Sequence, residues 1–280
     1  MLHSESTFIG AKQTSIRLQT WLPEAPPRGV IVVAHGYGEH GGRYGNVVDA
    51  LGPKGYALYI ADHRGHGKSA GTRALIDSFE YLLDDLDQVF ATARKEQPGL
   101  PMFLLGHSMG GSIALASALR RGDHLHGLVL SGPAVLFDGV SRPTKWLAAV
   151  LGRLAPKLGT RKLSAAGVSR DPDVVRAYEG DPLVFHDKMP AGTAAALFKR
   201  AARFADDLPS LRVPLLVVHG SADTLVPVSA GRFAYGRAGS SDKTLKVYSG
   251  LAHEVFNEPE RAEVLHEVAL WLDAHCLVNP

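Results

Sequence analysis

The stretch Met102-Phe103-Leu104-Leu105-Gly106-His107-Ser108-Met109-Gly110-Gly111 decides how this chain is read. An apolar run of strand length leads straight into G-x-S-x-G, and Met109–Arg121 continues with a helical pattern. A serine hydroxyl is a poor nucleophile until it stands exposed at a sharp turn, beside a base, with amide donors ready for an oxyanion. Small residues on both sides let strand and helix approach closely and let Ser108 take an unfavourable backbone conformation. Ser108 is therefore the candidate nucleophile.

Working outward, apolar runs of strand length alternate with longer helical patterns, the mark of a mostly parallel sheet with helices on both faces. The strands read as Val30–Ala34, Ala57–Ala61, Met102–Leu105, Gly127–Ser131, Leu215–His219 and Leu245–Tyr248. Phe79–Gln97, Met109–Arg121 and Pro259–His275 read as helices, and Thr7–Leu22 as an antiparallel hairpin at the sheet edge. The long stretch between Ser131 and Leu215 shows no strong strand, and such connections are usually a few residues long. The expectation is a core formed by residues 1–134 and 206–280, with an inserted helical cap over 135–205. Ligands bind at the C-terminal edge of open sheets of this kind, which is the edge such a cap would cover.

A G-x-S-x-G turn between strand and helix on this sheet resembles the α/β-hydrolases, and the resemblance implies a chain order of nucleophile, acid, histidine. Asp223 follows the late strand Leu215–His219 in the turn Ser221-Ala222-Asp223-Thr224-Leu225-Val226-Pro227, whereas Asp206 and Asp207 precede it at the wrong end. His253 follows the last strand in Ser249-Gly250-Leu251-Ala252-His253. The chemistry expected is two-step acyl transfer, with His253 as base and then acid, and Asp223 orienting the imidazole. Turnover should fall on acidification as the imidazole protonates. The oxyanion donors expected are the amides of Met109 and of Tyr37, in the Gly-rich loop His35–Tyr44. The loop Asp62-His63-Arg64-Gly65-His66-Gly67-Lys68-Ser69 has neither phosphate-loop nor HExxH spacing and reads as a structural brace.

Composition narrows the field. The chain has 280 residues, 45% hydrophobic, with a net charge of +2, which argues against a nucleic-acid partner. Cys276 is the one cysteine, so neither an internal disulfide nor a cysteine-based metal site is expected. The N-terminus carries no signal-peptide pattern, and no apolar run reaches the ~18 residues of a spanning helix. A soluble cytoplasmic protein, peripherally membrane-associated at most, is the expectation. Oligomeric state is not readable.

His35–Tyr44, Asp62–Ser69, Gly106–Gly111, His219–Pro227 and His253-Glu254-Val255-Phe256-Asn257-Glu258 together resemble the monoacylglycerol lipases, particularly the bacterial ones. Ser169-Arg170-Asp171-Pro172 and Asp181-Pro182-Leu183-Val184 also resemble that family's cap. The resemblance implies hydrolysis of monoacylglycerols to glycerol and fatty acid without metal or organic cofactor. It places the catalytic residues on Ser108, Asp223 and His253 and the oxyanion donors on Tyr37 and Met109. Glu39 and Arg43 match positions near the glycerol end of the pocket. Tyr37 departs from the small residue usual in relatives after His-Gly, so the local pocket shape should differ. Alternatives are a lysophospholipase or broad carboxylesterase with the same triad, or a silent binding protein on the same fold. Epoxide- and haloalkane-opening relatives generally use an aspartate nucleophile, and Ser108 speaks against them.

The cap stretch carries an independent signal. Between Gly139 and Arg170 stand seven basic residues and no acidic one. Trp146, Leu147, Val150, Leu151 and Leu154 recur there at helical spacing. A basic amphipathic helix with an aromatic residue reads as seeking an anionic membrane or lipid interface, and the competing reading is that its apolar face packs on the core.

Overall fold

The computed structural model describes residues 1–276. Its eight strands are β1 (Leu2–Gly10), β2 (Thr14–Leu22), β3 (Gly29–Ala34), β4 (Tyr56–Ala61), β5 (Met102–His107), β6 (Gly127–Ser131), β7 (Leu215–Gly220) and β8 (Lys243–Tyr248). They form one sheet in the order β1-β2-β4-β3-β5-β6-β7-β8. β1 and β2 form the antiparallel hairpin, and β2 joins β4 antiparallel; every later pairing is parallel. The mostly parallel α/β expectation holds. The hairpin begins earlier than Thr7, because Leu2–Ser6 is an exposed edge without the alternation that marks a half-buried strand.

The helices are α1 (Gly45–Leu51), α2 (Phe79–Glu96), α3 (Met109–Arg121), α4 (Arg142–Leu154), α5 (Pro172–Gly180), α6 (Ala191–Asp207), α7 (Val228–Arg237) and α8 (Arg261–Cys276). The parallel strands β3 to β7 are buried on both faces because each face meets helices, whereas β8, at the edge, carries Lys243 and Lys246 and is only partly buried. Val30 and Val32 face a core built with Leu86 and Phe90 of α2, Ile113 of α3 and Phe204 of α6. Ile31 and Val33 face the other core, with Val47 and Leu51 of α1 and Val264 and Leu272 of α8. Full burial of each such side chain contributes roughly 1.5–3 kcal/mol.

Between β6 and β7 the chain adds no strand to the sheet and carries α4, α5 and α6. Helix α6 runs through the boundary at 205/206, since Phe204 is fully buried in the main core. Among the described residues, no helix is long and apolar enough to cross a membrane.

Candidate active site

Parallel registry lines up the C-terminal ends of the central strands, with Ala34 beside Gly106 and His107 beside Ser131. The turn from β5 to α3 depends on two glycines. A Cβ on Gly106 would fall 2.4 Å from the Gly110 carbonyl oxygen, and one on Gly110 would fall 2.0 Å from that of Ala34. Between them Ser108 adopts φ 53° and ψ −118°, a conformation side chains avoid. It is held from both sides. Its amide donates to Ser131 O at 2.9 Å, and its carbonyl accepts from Gly111 N at 2.9 Å and Ala134 N at 3.0 Å.

His253 and Asp223 arrive on the loops after β8 and β7. His253 Nδ1 lies 2.6 Å from Asp223 Oδ2. The second carboxylate oxygen accepts the amides of Leu225 and Val226, each at 2.9 Å. Burial alone would raise this carboxyl, but hydrogen bonds from His219 and His253, the charge of His253 and the Val226 amide outweigh it. Asp223 is held well below the usual carboxylate range. With Nδ1 committed to the acid, His253 keeps Nε2 for proton transfer. Glu258, fully buried, fixes the start of this loop by accepting Ala252 N at 3.1 Å, and it also accepts Ser169 Oγ and Arg170 N at 2.6 Å.

Ser108, His253, Tyr37 and Met109 line one chamber of about 90 Å³. Met109 opens α3, where an amide has no intrahelical acceptor. Glu39 also lines the chamber, accepting Gly36 N at 2.5 Å and the Tyr44 hydroxyl at 2.8 Å. Arg43 is committed elsewhere. Its guanidinium bridges Glu39 at 2.8 Å and Glu254 at 2.6 and 2.8 Å, and lies over the Tyr178 ring at 4.7 Å. Neither Glu254 nor Tyr178 stood out in the sequence, because their pairing with Arg43 joins segments far apart in the chain. The His107 ring lies 4.6 Å from that of His253, tilted by 51°, and burial, with the neighbouring His253, pushes it down to about 3, so it remains neutral.

The chamber shares Phe137, Leu163, Met189, Leu197, Leu225 and Val226 with an adjoining apolar groove of about 830 Å³. Leu147 and Leu151 of α4 line that groove, while Trp146 is 68% exposed and Leu154 76% exposed. The apolar stripe of α4 does not pack on the core as one face. Ala148 is the helix's one buried residue, and Gly152 gives the close approach to Ala195 of α6. On another side, a recess of about 700 Å³ bordered by Lys162, Glu179, His186 and Asp187 also reaches Tyr37 and Tyr178.

A serine at a strained strand-to-helix turn, facing a His–Asp pair at the C-terminal edge of this sheet, has the arrangement of an α/β-hydrolase site. Residues 25–260 match the Hydrolase_4 family, described as serine aminopeptidase, S33. The chain is 45% identical over 273 residues to a monoacylglycerol lipase of Mycolicibacterium smegmatis, covering 97% of this chain and 98% of that protein. It is 38% identical to the monoglyceride lipase of Homo sapiens, covering 90% of this chain and 84% of the other. A crystal structure of Paleococcus ferrophilus monoacylglycerol lipase superposes with a TM-score of 0.82 at 33% identity, covering 92% and 99% of the two chains. The chain belongs to the Hydrolase_4 family of α/β-hydrolases and, within it, to the monoacylglycerol lipases.

Proposed function

We propose that this protein hydrolyses monoacylglycerols to glycerol and free fatty acid through an acyl-enzyme on Ser108. His253 takes the serine proton during attack and returns it to the leaving alcohol, and Asp223 orients the ring and stabilises its charged form. The amides of Tyr37 and Met109 receive the oxyanion. Water then repeats the cycle on the acyl-enzyme. The observation that carries the reading is the junction of the Ser108–His253 chamber with the long apolar groove through Phe137, Leu197 and Val226. A groove lined this way suits an acyl chain, while Glu39, backed by Arg43, offers a carboxylate acceptor for hydroxyls at the polar end. Residues 135–205 act as the cap, and α4 meets anionic lipid through Trp146, Leu147, Val150 and Leu151, flanked by Lys145 and Arg153.

The test is fatty-acid release from monooleoylglycerol, dioleoylglycerol, trioleoylglycerol and lysophosphatidylcholine, with Ser108→Ala alongside. Preference for the monoacylglycerol, abolished in the variant, is expected. Lysophospholipid preference would overturn the substrate while sparing the triad, and turnover surviving in Ser108→Ala would overturn the nucleophile.

A further inference from the structure

His219, near the end of β7, is fully buried; in the sequence it reads as the end of a strand and the first residue of the motif His219–Pro227, with no role of its own. Its Nε2 lies 2.9 Å from the Val226 carbonyl oxygen and 3.2 Å from Asp223 Oδ2. Both neighbours are acceptors, so Nε2 carries the ring proton and Nδ1 is bare. Nδ1 has no hydrogen-bond partner among the described residues. It faces α7 at Gly231, where a Cβ would fall only 2.5 Å away. A buried acceptor without a donor is destabilising, and here Nδ1 is left without one while Nε2 satisfies the buried Val226 carbonyl.

What His219 supplies is a second N–H dipole beside the acid. Asp223 Oδ2 receives His253 Nδ1 and lies 3.2 Å from His219 Nε2, while Oδ1 receives Leu225 N and Val226 N. The same Nε2–H also reaches the carbonyl of Val226, whose amide binds the other carboxylate oxygen. His219 thus closes the acid's turn on itself. Resting on the triad reading above, we propose that His219 is a positioning residue that fixes the Asp223 carboxylate and tempers its pull on His253. With one oxygen beside two imidazoles, the carboxylate's charge is divided between them, and it stabilises the His253 imidazolium less than it would alone. The other ionisable groups facing His253 are His107 from β5 and Glu254 beside it, the latter neutralised by Arg43. Changes at His219 leave all three untouched.

Two variants separate this role from simple packing. His219→Leu removes the donor and the orphaned Nδ1 together, whereas His219→Gln keeps an amide donor. In His219→Leu the acid limb of the kcat/KM profile should move up by about one pH unit, the size expected when a carboxylate loses one charge-assisted hydrogen bond. Plateau kcat should fall roughly tenfold with KM within about twofold. His219→Gln should recover most of both losses. A His219→Leu enzyme with the wild-type profile and kcat, or a His219→Gln enzyme indistinguishable from it, would overturn the proposal. Nitrogen NMR of histidine-labelled wild type is the check that needs no variant: His219 should be the Nε2–H tautomer at neutral pH, and a proton on Nδ1 would overturn the proposal. Ser108→Ala, assayed in parallel, reports on the triad reading separately.

Discussion

The floor of the chamber and the roof formed by α4, the proposed cap helix bordering the adjoining groove, are built on opposite principles. The floor is a set of loops whose polar groups are buried and paired: Arg43 between Glu39 and Glu254, Asp223 under His253 and two backbone amides, Glu258 at the root of the His253 loop. The roof helix α4 sits on α6 through small residues and turns its largest apolar side chains outward. Fixed dipoles suit a floor that must stabilise charge as it develops, because they need no reorganisation during reaction.

The sharpest way to break this contrast is at the floor. Ser108→Ala and Asp223→Asn should each lower kcat roughly 10⁴-fold or more without altering the fold. Active-site titration with a fluorophosphonate checks the first, and pre-steady-state acylation rates check the second. Arg43→Met leaves Glu39 and Glu254 facing each other in a buried site. It should destabilise the protein by about 3–5 kcal/mol, read from urea unfolding. Wild-type stability after that change would mean the floor is not held by charge pairing.

Acid should attack the floor and spare the roof. Burial, reinforced by neighbouring imidazoles, holds His63 and His107 down to about 3; burial, with Arg73 nearby, holds His66 down to about 4. The folded protein therefore binds fewer protons than the unfolded chain, in which histidine titrates near ~6.5. Their contribution to stability is complete above that value. It drains away as the pH falls from about 6.5 towards 4, by up to about 1.4 kcal/mol per pH unit for each ring. Urea midpoints at pH 7 and pH 5 measure it, and an unchanged midpoint would mean these rings are not kept neutral by the fold. The smallest effect on the protein itself is expected at the roof. Trp146→Ala combined with charge reversal at Lys145 and Arg153 should leave Tm and hydrolysis of a short soluble ester unchanged. Binding to anionic vesicles should weaken at least roughly tenfold and lose its salt sensitivity. Wild type that ignores such vesicles would remove the lipid-facing role from α4.

Much of the floor could be read from the chain because its parts are local. An apolar run followed by Gly106-His107-Ser108, or by His219-Gly220 with Asp223 close behind, announces strand, turn and polar group within a few residues. What escaped is whatever two distant segments make together. The clamp of Arg43 on Glu254 and the groove shared by Phe137, Met189 and Val226 leave no spacing to recognise. Helix α4 was legible only in part. Its large residues mark an apolar face, whereas close approach to α6 is made at Gly152, whose small size carries no hydrophobic signal. At β1 the edge position removed the alternation that would have marked Leu2–Ser6 as strand.

The order of the strands has one more consequence. β5 lies in the middle of the sheet, flanked by β3 on one side and by β6, β7 and β8 on the other, so the groups that meet in the chamber come from nearly the whole length of the chain. No truncated fragment ending before β8 contains His253. Turnover of a chromogenic ester is therefore a census of the sheet from β3 to β8. In a refolding reaction its return should mark the moment the last strand docks, later than any spectroscopic sign of helix.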